Sequence, residues 1–356
     1  MSEYEIIVPN FNARFSGITA TVAAVAPHQM KGVSIACIGH PLPPNITVPH
    51  LSLWRFFRLT GNFLPDGRPR IFHARRNIEM LWGLVFKYLA RRKLYLLFTS
   101  TAQRDHTRWT RFLYNRMDSV ISTSPRASSY VRRAVSAIIP HGVDTQVYYP
   151  AQDREACWKS TGLPGKLGVG IFGRVRPQKG IEEFVLAMCQ TLARHPHWTA
   201  VIVGEVTPAF RSFERRLKTV IAKKGLSERF VWTEKRNFAE LPELFRAMSL
   251  IVCASHNEGF GLTCLEGMAS GVAVLATQTG AFEMAIRPGV DGYIVPCRNT
   301  QALVQGLEKM MADPQALARM GAAARARAVE RFSIEKEAAL LVAEYRKIGN
   351  KFLPEC

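Results

Sequence analysis

The sequence predicts an α/β protein of two domains, each built on a doubly wound sheet of parallel strands. Short apolar runs alternate with longer helical segments along most of the chain, and this alternation is typical of parallel sheets covered by helices on both faces. The chain has 356 residues, which is long for a single hydrophobic core. Several of the apolar runs also lead into a helix through a glycine-containing loop, the place where such sheets bind ligands.

In the first half, the predicted elements begin with a strand, a polar loop around Gly17 and a helix. The predicted strands are at residues 4–8, 33–38, 71–73 and 94–98 and from 119 onwards, the predicted helices are at 18–28 and 78–92, and the proline-rich piece 41–49 is predicted as irregular. Ser124 and Pro125 are a typical cap and first-turn proline of a further helix.

In the second half, the same alternation continues after a polar connection. Strands are predicted at residues 167–172, 199–203, 229–232, 250–253 and 272–276, and helices at 181–194, 209–223, 240–247, 262–269, 300–312, 314–331 and 334–349. We therefore expect domains at residues 1–155 and 156–333, followed by a C-terminal segment 334–356.

The charge is strongly positive and unevenly distributed. The formal net charge is +19, and residues 1–150 carry 19 Lys and Arg against 7 Asp and Glu, a balance of +12 that leaves +7 for the rest. The first half is therefore the expected contact for an acidic partner; nucleic acid, an anionic membrane and a phosphorylated glycolipid all fit this sign.

The cysteines and the apolar runs predict where the protein works. Seven cysteines are scattered without metal-ligand spacing, which favours a reducing cytosol over a disulfide framework. The chain opens on a strand pattern rather than a charged and then apolar signal sequence, and it has no apolar run of membrane-spanning length. A role at a membrane would be performed from its surface.

The most informative stretch is SHNEGFGLTCLEGMASG at residues 255–271. A buried strand, a glycine turn and a helix follow one another here, and the free amides at such a helix start favour an anion such as phosphate. Glycines at 259 and 261 allow the backbone to approach the anion closely. Glu258 and Glu266 are spaced to contact the two ends of a sugar nucleotide around its diphosphate. Taken alone, they could also be solvated helix-end glutamates.

A second loop at a strand end carries two cations. The strand 167–172 leads into Gly-Arg-Val-Arg-Pro-Gln-Lys-Gly, which places Arg174 and Lys179 beside a helix start. An arginine fork and a lysine point charge are well matched to two phosphates. A basic loop by itself is usually only solvated, so this interpretation depends on its pairing with the glutamate stretch.

Together, these two stretches resemble the retaining glycosyltransferases of family four. EGFGLTCLE followed by GMASGVAVLATQTGAFEMAI is similar to the Glu-x7-Glu signature of that family, and residues 173–180 are similar to its Gly-Arg…Lys-Gly loop. The passage 138–144, Ile-Ile-Pro-His-Gly-Val-Asp, resembles the family's interdomain segment. The resemblance implies the GT-B fold: two Rossmann-like doubly wound domains with a cleft between them, the last helix crossing back to the N-terminal domain.

The resemblance also implies roles on the donor side. Arg174, Lys179 and the amides of Gly259, Phe260, Gly261 and Leu262 would bind the donor diphosphate, with Glu258 on the sugar hydroxyls and Glu266 on the ribose. Gly17 would lie near the donor phosphate, although it could equally be an ordinary turn residue, and residues 232–237 would contact the base. We expect no metal and no cofactor, because no Asp-x-Asp motif or His/Cys cluster is present.

On the acceptor side, the candidates follow two strands of the first half. One group, His73, Arg75 and Arg76, surrounds the end of the strand at 71–73, where a basic loop would hold an acidic acceptor. The other group comprises Gln103, Arg104 and His106, for which a solvated helix start is an equally open interpretation. The strand end near the reacting sugar carries serine and threonine where the family often has a histidine.

Two apolar stretches leave a choice between core and membrane. Residues 53–59 mix aromatics with two arginines, and the helix at 78–92 is apolar nearly all round before a basic run. Each is explained by packing on the sheet, and each also fits contact with a membrane surface.

The function implied is transfer of a hexose with retention of configuration. The pattern including TSTAQRDHTRWTRF is similar to bacterial lipopolysaccharide core mannosyltransferases, so we expect mannose to pass from GDP-mannose to an acidic glycolipid such as the Kdo of the inner core, without a metal, at the inner face of the cytoplasmic membrane. No nucleic-acid partner is expected. The alternatives are a UDP-sugar-dependent glucosyl- or galactosyltransferase, a silent nucleotide-sugar binder and, from another class, a basic nucleic-acid-binding protein.

Overall fold

The computed structural model describes residues 4–13, 16–43, 46–233 and 240–353. These residues form two compact units, one from Met1–Gly142 with Ile334–Cys356 and the other from Val143–Ser333. Residues 143–155, placed in the first domain by the sequence analysis, group with the second unit because Tyr148 packs edge-on against Phe245 there, with ring centroids 5.5 Å apart.

Strands and helices alternate through both units. The strands are β1 Ile6–Asn10, β2 Ile35–Gly39, β3 His50–Leu51, β4 Arg70–Ala74, β5 Leu94–Ser100, β6 Ser119–Ser122, β7 Leu167–Phe172, β8 Trp198–Val203, β9 Phe230–Thr233, β10 Leu250–Cys253, β11 Ala273–Thr277 and β12 Gly292–Val295. The α-helices are α1 Gly17–Gln29, α2 Leu53–Thr60, α3 Asn77–Leu84, α4 Arg108–Tyr114, α5 Pro125–Ser129, α6 Arg154–Ser160, α7 Ile181–Thr191, α8 Arg211–Lys223, α9 Leu241–Ala247, α10 Leu262–Ala269, α11 Phe282–Ala285, α12 Thr300–Met311, α13 Pro314–Phe332 and α14 Ile334–Asn350.

Each unit contains one six-stranded parallel sheet. The order is β3-β2-β1-β4-β5-β6 in the first unit and β12-β11-β10-β7-β8-β9 in the second. The strand order reverses between β1 and β4 in one sheet and between β7 and β10 in the other. Such a reversal opens a crevice at the carboxyl ends of the strands, where open α/β sheets bind ligands.

The apolar sequence of the strands explains why the sheets form. Every residue of β10 and of β1 is buried, as expected for strands covered by helices on both faces. Serine and threonine start several of the helices: Ser16, Ser52, Thr107 and Ser124 each accept a hydrogen bond from a first-turn amide, which satisfies donors that the helix leaves open.

The C-terminal helix α14 belongs to the core of the first unit. Leu341, Tyr345 and Ile348 are buried there with Val22 and Val25 of α1. The hydrogen bond from Gln29 Nε2 to Tyr345 Oη, at 3.2 Å, joins the two helices.

Three local predictions differ from the structure. The helix predicted at 78–92 is α3 followed by a π-helical turn, Val85–Leu89, and it ends before Arg91, whose φ of 53° cannot continue a helix. The short strand β3 follows the proline-rich piece, and β12 was not predicted. Both are edge strands, which are defined by pairing with a neighbour more than by their own apolar pattern.

No helix in the described parts of the chain is both long and apolar enough to span a lipid bilayer.

Candidate functional site

The site of the second unit lies where its strand order reverses. Strands β7 and β10 are neighbours with Ile171 paired to Val252, so the loops that follow them leave the same edge of the sheet side by side. The first loop, residues 173–180, carries Arg174 and Lys179. The second, residues 254–261, carries Glu258 and leads into α10. Two stretches that are far apart in the sequence are thus brought together by the topology.

Lys179 and Glu258 form an ion pair between these loops. Lys179 Nζ donates a hydrogen bond to Glu258 Oε2, and each side chain is 20% exposed. Ser255 Oγ donates to the same carboxylate oxygen at 3.2 Å. The pair is open enough to be reached by a ligand, and each member presents the charge that a phosphate or a sugar hydroxyl would use.

A histidine that the sequence analysis did not single out also ties the loops together. The backbone amide of His256 donates to Gln178 O at 2.9 Å, and its Nε2 lies 2.7 Å from Glu183 Oε1 on α7. These contacts fix the spacing between Lys179 and Glu258. A His-x-Glu spacing gives no local sign of such a role, because Glu183 is 73 residues away.

Glycine is required at two positions of this edge. Gly180 has φ +68°, and a Cβ there would lie 2.0 Å from Ala254 O in the opposite loop. Gly261 has φ +95°, and its Cβ would lie 2.2 Å from the ring of Phe282. Both glycines therefore provide a left-handed backbone and a close approach that a side chain would block.

Helix α10 presents its N-terminus at the same edge. Gly261 caps it in the left-handed conformation, and within the described ranges no side chain caps its first turn. The amides of Leu262 and Thr263 precede the first intrahelical bond, and the helix dipole adds positive potential. The side chain of Phe260 is buried and anchors the turn that precedes α10. Its backbone carbonyl accepts a hydrogen bond from Ala281 N at 2.9 Å.

Glu266 is the second acid of the motif and lies one turn inside α10. The residue keeps some exposed surface, but burial of its carboxyl group raises the pKa to about 7, against the opposing effects of a hydrogen bond from Tyr148 and the charge of Lys179. Lys179 therefore acts electrostatically on Glu266 as well as pairing with Glu258. Tyr148, 118 positions earlier, was not identified from the sequence.

Arg174 is a cation of this edge for which the described residues provide no ion-pair partner. Its side chain is exposed, and in the part of the chain that the structure describes no carboxylate forms an ion pair with it. An unpaired arginine beside a paired lysine gives the edge a surplus of positive charge, which favours a dianionic ligand such as a diphosphate.

The predicted base contact at residues 232–237 is described only in part. Trp232 lies close to the C-terminal end of β9. Lys218 Nζ is 5.3 Å from the centre of its ring. Residues 234–237 lie outside the described residues.

At the corresponding edge of the first unit, Arg76 serves the fold. Its guanidinium group contacts Glu79 Oε1 at 2.5 Å, Ser16 Oγ at 2.9 Å and Thr19 Oγ1 at 2.7 Å. The side chain is 11% exposed and Glu79 is 1% exposed. Arg76 thus joins the start of α1 to the start of α3, and the expectation that it contacts an acceptor gives way to this structural role.

His73 is likewise held inside the first unit. It is fully buried, with Nδ1 2.7 Å from Tyr345 Oη and Nε2 2.6 Å from Thr99 Oγ1. Burial, with the charge of Arg75, keeps its pKa well below the ordinary value. The imidazole is therefore neutral and inaccessible, and it positions its neighbours instead of touching an acceptor.

The other acceptor candidates remain near the surface, with one exception. Arg104 is exposed, and His106 is half-buried with its Nε2 3.3 Å from Ser100 Oγ. Burial lowers the pKa of His106, and the charges of Arg104 and Arg111 lower it further. Gln103 is buried and bonds Ser124 Oγ at 3.4 Å.

Arg75 and Gly17 lie at the edge between β1 and β4. Arg75 is partly exposed, with its backbone amide bound to Glu79 Oε2 at 2.7 Å. Gly17 is the first residue of α1, and a Cβ there would meet nothing within 4 Å. The glycine is thus not demanded by packing, and open space lies over it.

Solved structures show the class to which this architecture belongs. The chain superposes on Anabaena Alr3699/HepE, solved with UDP and glucose, with a TM-score of 0.81 over 97% of this chain and 100% of that one, at 19% identity. It superposes on the sucrose-phosphate synthase of Thermosynechococcus elongatus with a TM-score of 0.76, over 98% of this chain and 100% of that one, at 22% identity. The predicted GT-B class, two units each with a parallel sheet, is confirmed.

The amino-acid sequence gives the family. Residues 157–327 match the glycosyl transferases group 1. The chain is 40% identical over 352 residues to the lipopolysaccharide core biosynthesis mannosyltransferase LpcC of Rhizobium leguminosarum bv. viciae, covering 97% of both chains, and 39% identical over 355 residues to LpsB of Rhizobium meliloti (strain 1021), covering 97% of this chain and 98% of that one. The protein belongs to the group 1 glycosyltransferases, which confirms the predicted enzyme class.

Proposed function

We propose that this glycosyltransferase moves mannose from GDP-mannose to an acidic glycolipid, the Kdo of a lipopolysaccharide inner core, with retention of configuration. The observation that carries the proposal is the pairing of Lys179 with Glu258 beside the start of α10, supported by the full-length similarity to two core mannosyltransferases.

In the proposed complex, the donor diphosphate lies over the start of α10. Arg174 and Lys179 neutralise its charge, together with the amides of residues 259–262. Glu258 accepts hydrogen bonds from the mannose hydroxyls, and Glu266 accepts them from the ribose once it is ionised. Charge that develops on the leaving diphosphate thus meets fixed donors that are already in place.

The proposed chemical step occurs on one face of the sugar. The bond from the anomeric carbon to the phosphate oxygen breaks, and a bond to the acceptor oxygen forms on the same face. The acceptor proton passes to the departing phosphate, so no side chain has to act as a base. The positive edge supplies the stabilisation without a metal, so turnover should persist in the presence of EDTA.

The acceptor side of the proposal rests on charge. Arg104 is exposed in the first unit, and the balance of residues 1–150 is +12, from 19 basic and 7 acidic residues. An acidic sugar on an anionic lipid fits that surplus, and the protein would meet it at the inner face of the cytoplasmic membrane.

A panel of nucleotides tests the donor. Thermal unfolding is measured with GDP, GDP-mannose, UDP, UDP-glucose and UDP-galactose, in wild type and in Lys179→Ala. We expect stabilisation by the GDP compounds that is lost in the variant. Stabilisation by UDP compounds alone would replace the mannose proposal with a UDP-sugar-dependent one.

A further inference from the structure

The first unit carries an apolar groove of about 460 Å³ that the donor site does not use. It is lined by α2, by α3 with the π-helical turn that follows it, and by the ends of β1, β2 and β3, chiefly through Phe11, Leu51, Leu53, Phe57, Trp82 and Phe86. This volume lies within the range of about 300–1,000 Å³ that is typical of ligand sites.

The floor of the groove is aromatic and closely packed. Trp82 and Phe86 stack with ring centroids 5.6 Å apart, and Phe57 meets Phe86 edge-on at 5.7 Å. The ring of Phe11 packs edge-on against those of Trp82 and Phe86, with centroids 6.4 Å apart in both pairs. The surface is thus preformed and presents carbon to whatever fills it.

The lining carries two polar side chains, His50 and Ser52, and each has a contact within the protein. His50 Nε2 lies 2.7 Å from Gly39 O, and Ser52 Oγ accepts from Arg55 N at 3.3 Å as the cap of α2. The other residues of the lining are apolar side chains and one glycine. The groove therefore favours an apolar group, which is the chemistry of a hydrocarbon chain.

The rim combines exposed apolar side chains with unpaired arginines. Leu53, Trp54 and Trp82 are 56%, 70% and 43% exposed. Arg58 lies 5.5 Å from the ring of Trp54, and in the described ranges neither Arg55 nor Arg58 forms an ion pair with an acid. Exposed aromatics beside unpaired cations match the interface of an anionic bilayer, where apolar side chains enter the acyl region and arginines meet head groups.

We infer that this groove binds an acyl chain of an anionic lipid of the bilayer, with Arg55 and Arg58 on the head groups. The inference rests on the membrane setting of the proposed function and assigns that contact to named residues. It places the lipid contact in the same unit as the proposed acceptor residues.

Two measurements test the inference. In flotation with phosphatidylcholine vesicles that contain phosphatidylglycerol, Leu53→Gln should bind about tenfold more weakly than wild type, the effect of removing one buried leucine from an apolar contact. Leu340→Gln, at an exposed leucine of α14, is the matched control and should bind as wild type does. Equal binding by the wild type and Leu53→Gln overturns the inference.

The second measurement reports on the groove itself. Phosphatidylglycerol brominated on its acyl chain should quench the tryptophan fluorescence, and Trp82→Phe should remove more of this quenching than Trp109→Phe, at another exposed tryptophan of the first unit. Vesicle binding in which Trp82→Phe and Trp109→Phe are quenched alike would mean adsorption by head groups only. A dimer in solution that Leu53→Gln dissociates would assign the groove to a second copy. Either result overturns the inference.

Activity separates this inference from the proposed function. Leu53→Gln should transfer normally to a deacylated, water-soluble acceptor and slowly to the same acceptor in vesicles. If the wild type transferred mannose to neither acceptor, the proposed function would be refuted. The vesicle-binding and quenching measurements would still show whether the groove binds an acyl chain.

Discussion

The ammonium group of Lys179 is hydrogen-bonded to the carboxylate of Glu258, although 79 residues separate them. The contact joins the loops that follow β7 and β10, and it does so at the point where the strand order of the sheet reverses. A cation and an anion of the proposed donor site are therefore held in register before any donor arrives.

Replacing Lys179 with alanine should abolish most of the transfer while the protein stays folded. The expected loss in kcat is about 10²–10³-fold, the usual effect of removing one fixed donor from developing negative charge. The control is Lys159→Ala, which removes an exposed lysine paired with Glu155 at 2.8 Å and should leave kcat unchanged. Wild-type turnover in Lys179→Ala would remove this lysine from the site.

The two glycines Gly180 and Gly17 should respond differently to alanine. Gly180→Ala forces a Cβ to within 2.0 Å of Ala254 O at φ +68°, so it should lower the free energy of unfolding by about 2 kcal/mol or more. Gly17→Ala meets nothing within 4 Å and should change the stability by less than about 0.5 kcal/mol. Urea denaturation of both variants measures the two effects. Equal free energies of unfolding for Gly180→Ala and Gly17→Ala would contradict the described contact between Gly180 and Ala254.

Glu266 should make the ligand-free protein less stable as the pH rises. Its pKa is raised from 4.5 to about 7 in the fold, so between these values the native state binds more protons than the unfolded state. The free energy of unfolding should fall across that window and level off above it, by roughly 3 kcal/mol in total at about 1.4 kcal/mol for each pKa unit.

The pH effect has a matched pair of variants. Glu266→Gln should lack this fall, whereas Glu155→Gln, at an exposed glutamate, should keep it. Denaturation curves at a series of pH values measure the difference. Parallel profiles for wild type and Glu266→Gln would show that the carboxyl group is not buried as described.

In the first unit, Arg76 and Arg104 should separate stability from acceptor binding. Arg76→Ala leaves Glu79, 1% exposed, without its cation and should destabilise by about 3 kcal/mol. Arg104 is exposed, so Arg104→Ala should alter stability by less than about 0.5 kcal/mol and raise KM for the acceptor. If Arg104→Ala left that KM unchanged, Arg104 would have no part in acceptor binding.

The loops of the proposed donor site could be predicted from sequence because their signals are local. Apolar runs placed β7 and β10, glycines marked the turns, and the charged residues stood within these turns. The contacts of His256 with Glu183 and of Tyr148 with Glu266 could not be found in this way. They depend on which strands become neighbours, and no pattern along the chain encodes that.

In the first unit, the local sequence did not indicate which basic residues are held inside the fold. Arg76 follows β4 and His73 is the penultimate residue of that strand, yet the fold pairs Arg76 with Glu79 and buries His73 against Tyr345. A basic residue at a strand end has the same local sequence context whether it is satisfied internally or faces a ligand. Only the packing of α1, α3 and α14 around the sheet distinguishes the two.

The most direct test of the proposed reaction is the anomeric configuration of the product. Wild type is incubated with GDP-mannose and a Kdo-containing lipid A acceptor, with and without EDTA, and the product is analysed by NMR. The account predicts a mannosyl product with the α configuration of the donor, formed equally with EDTA and absent with Lys179→Ala. A β-linked product, or a mannosyl product formed as fast by Lys179→Ala, would contradict it.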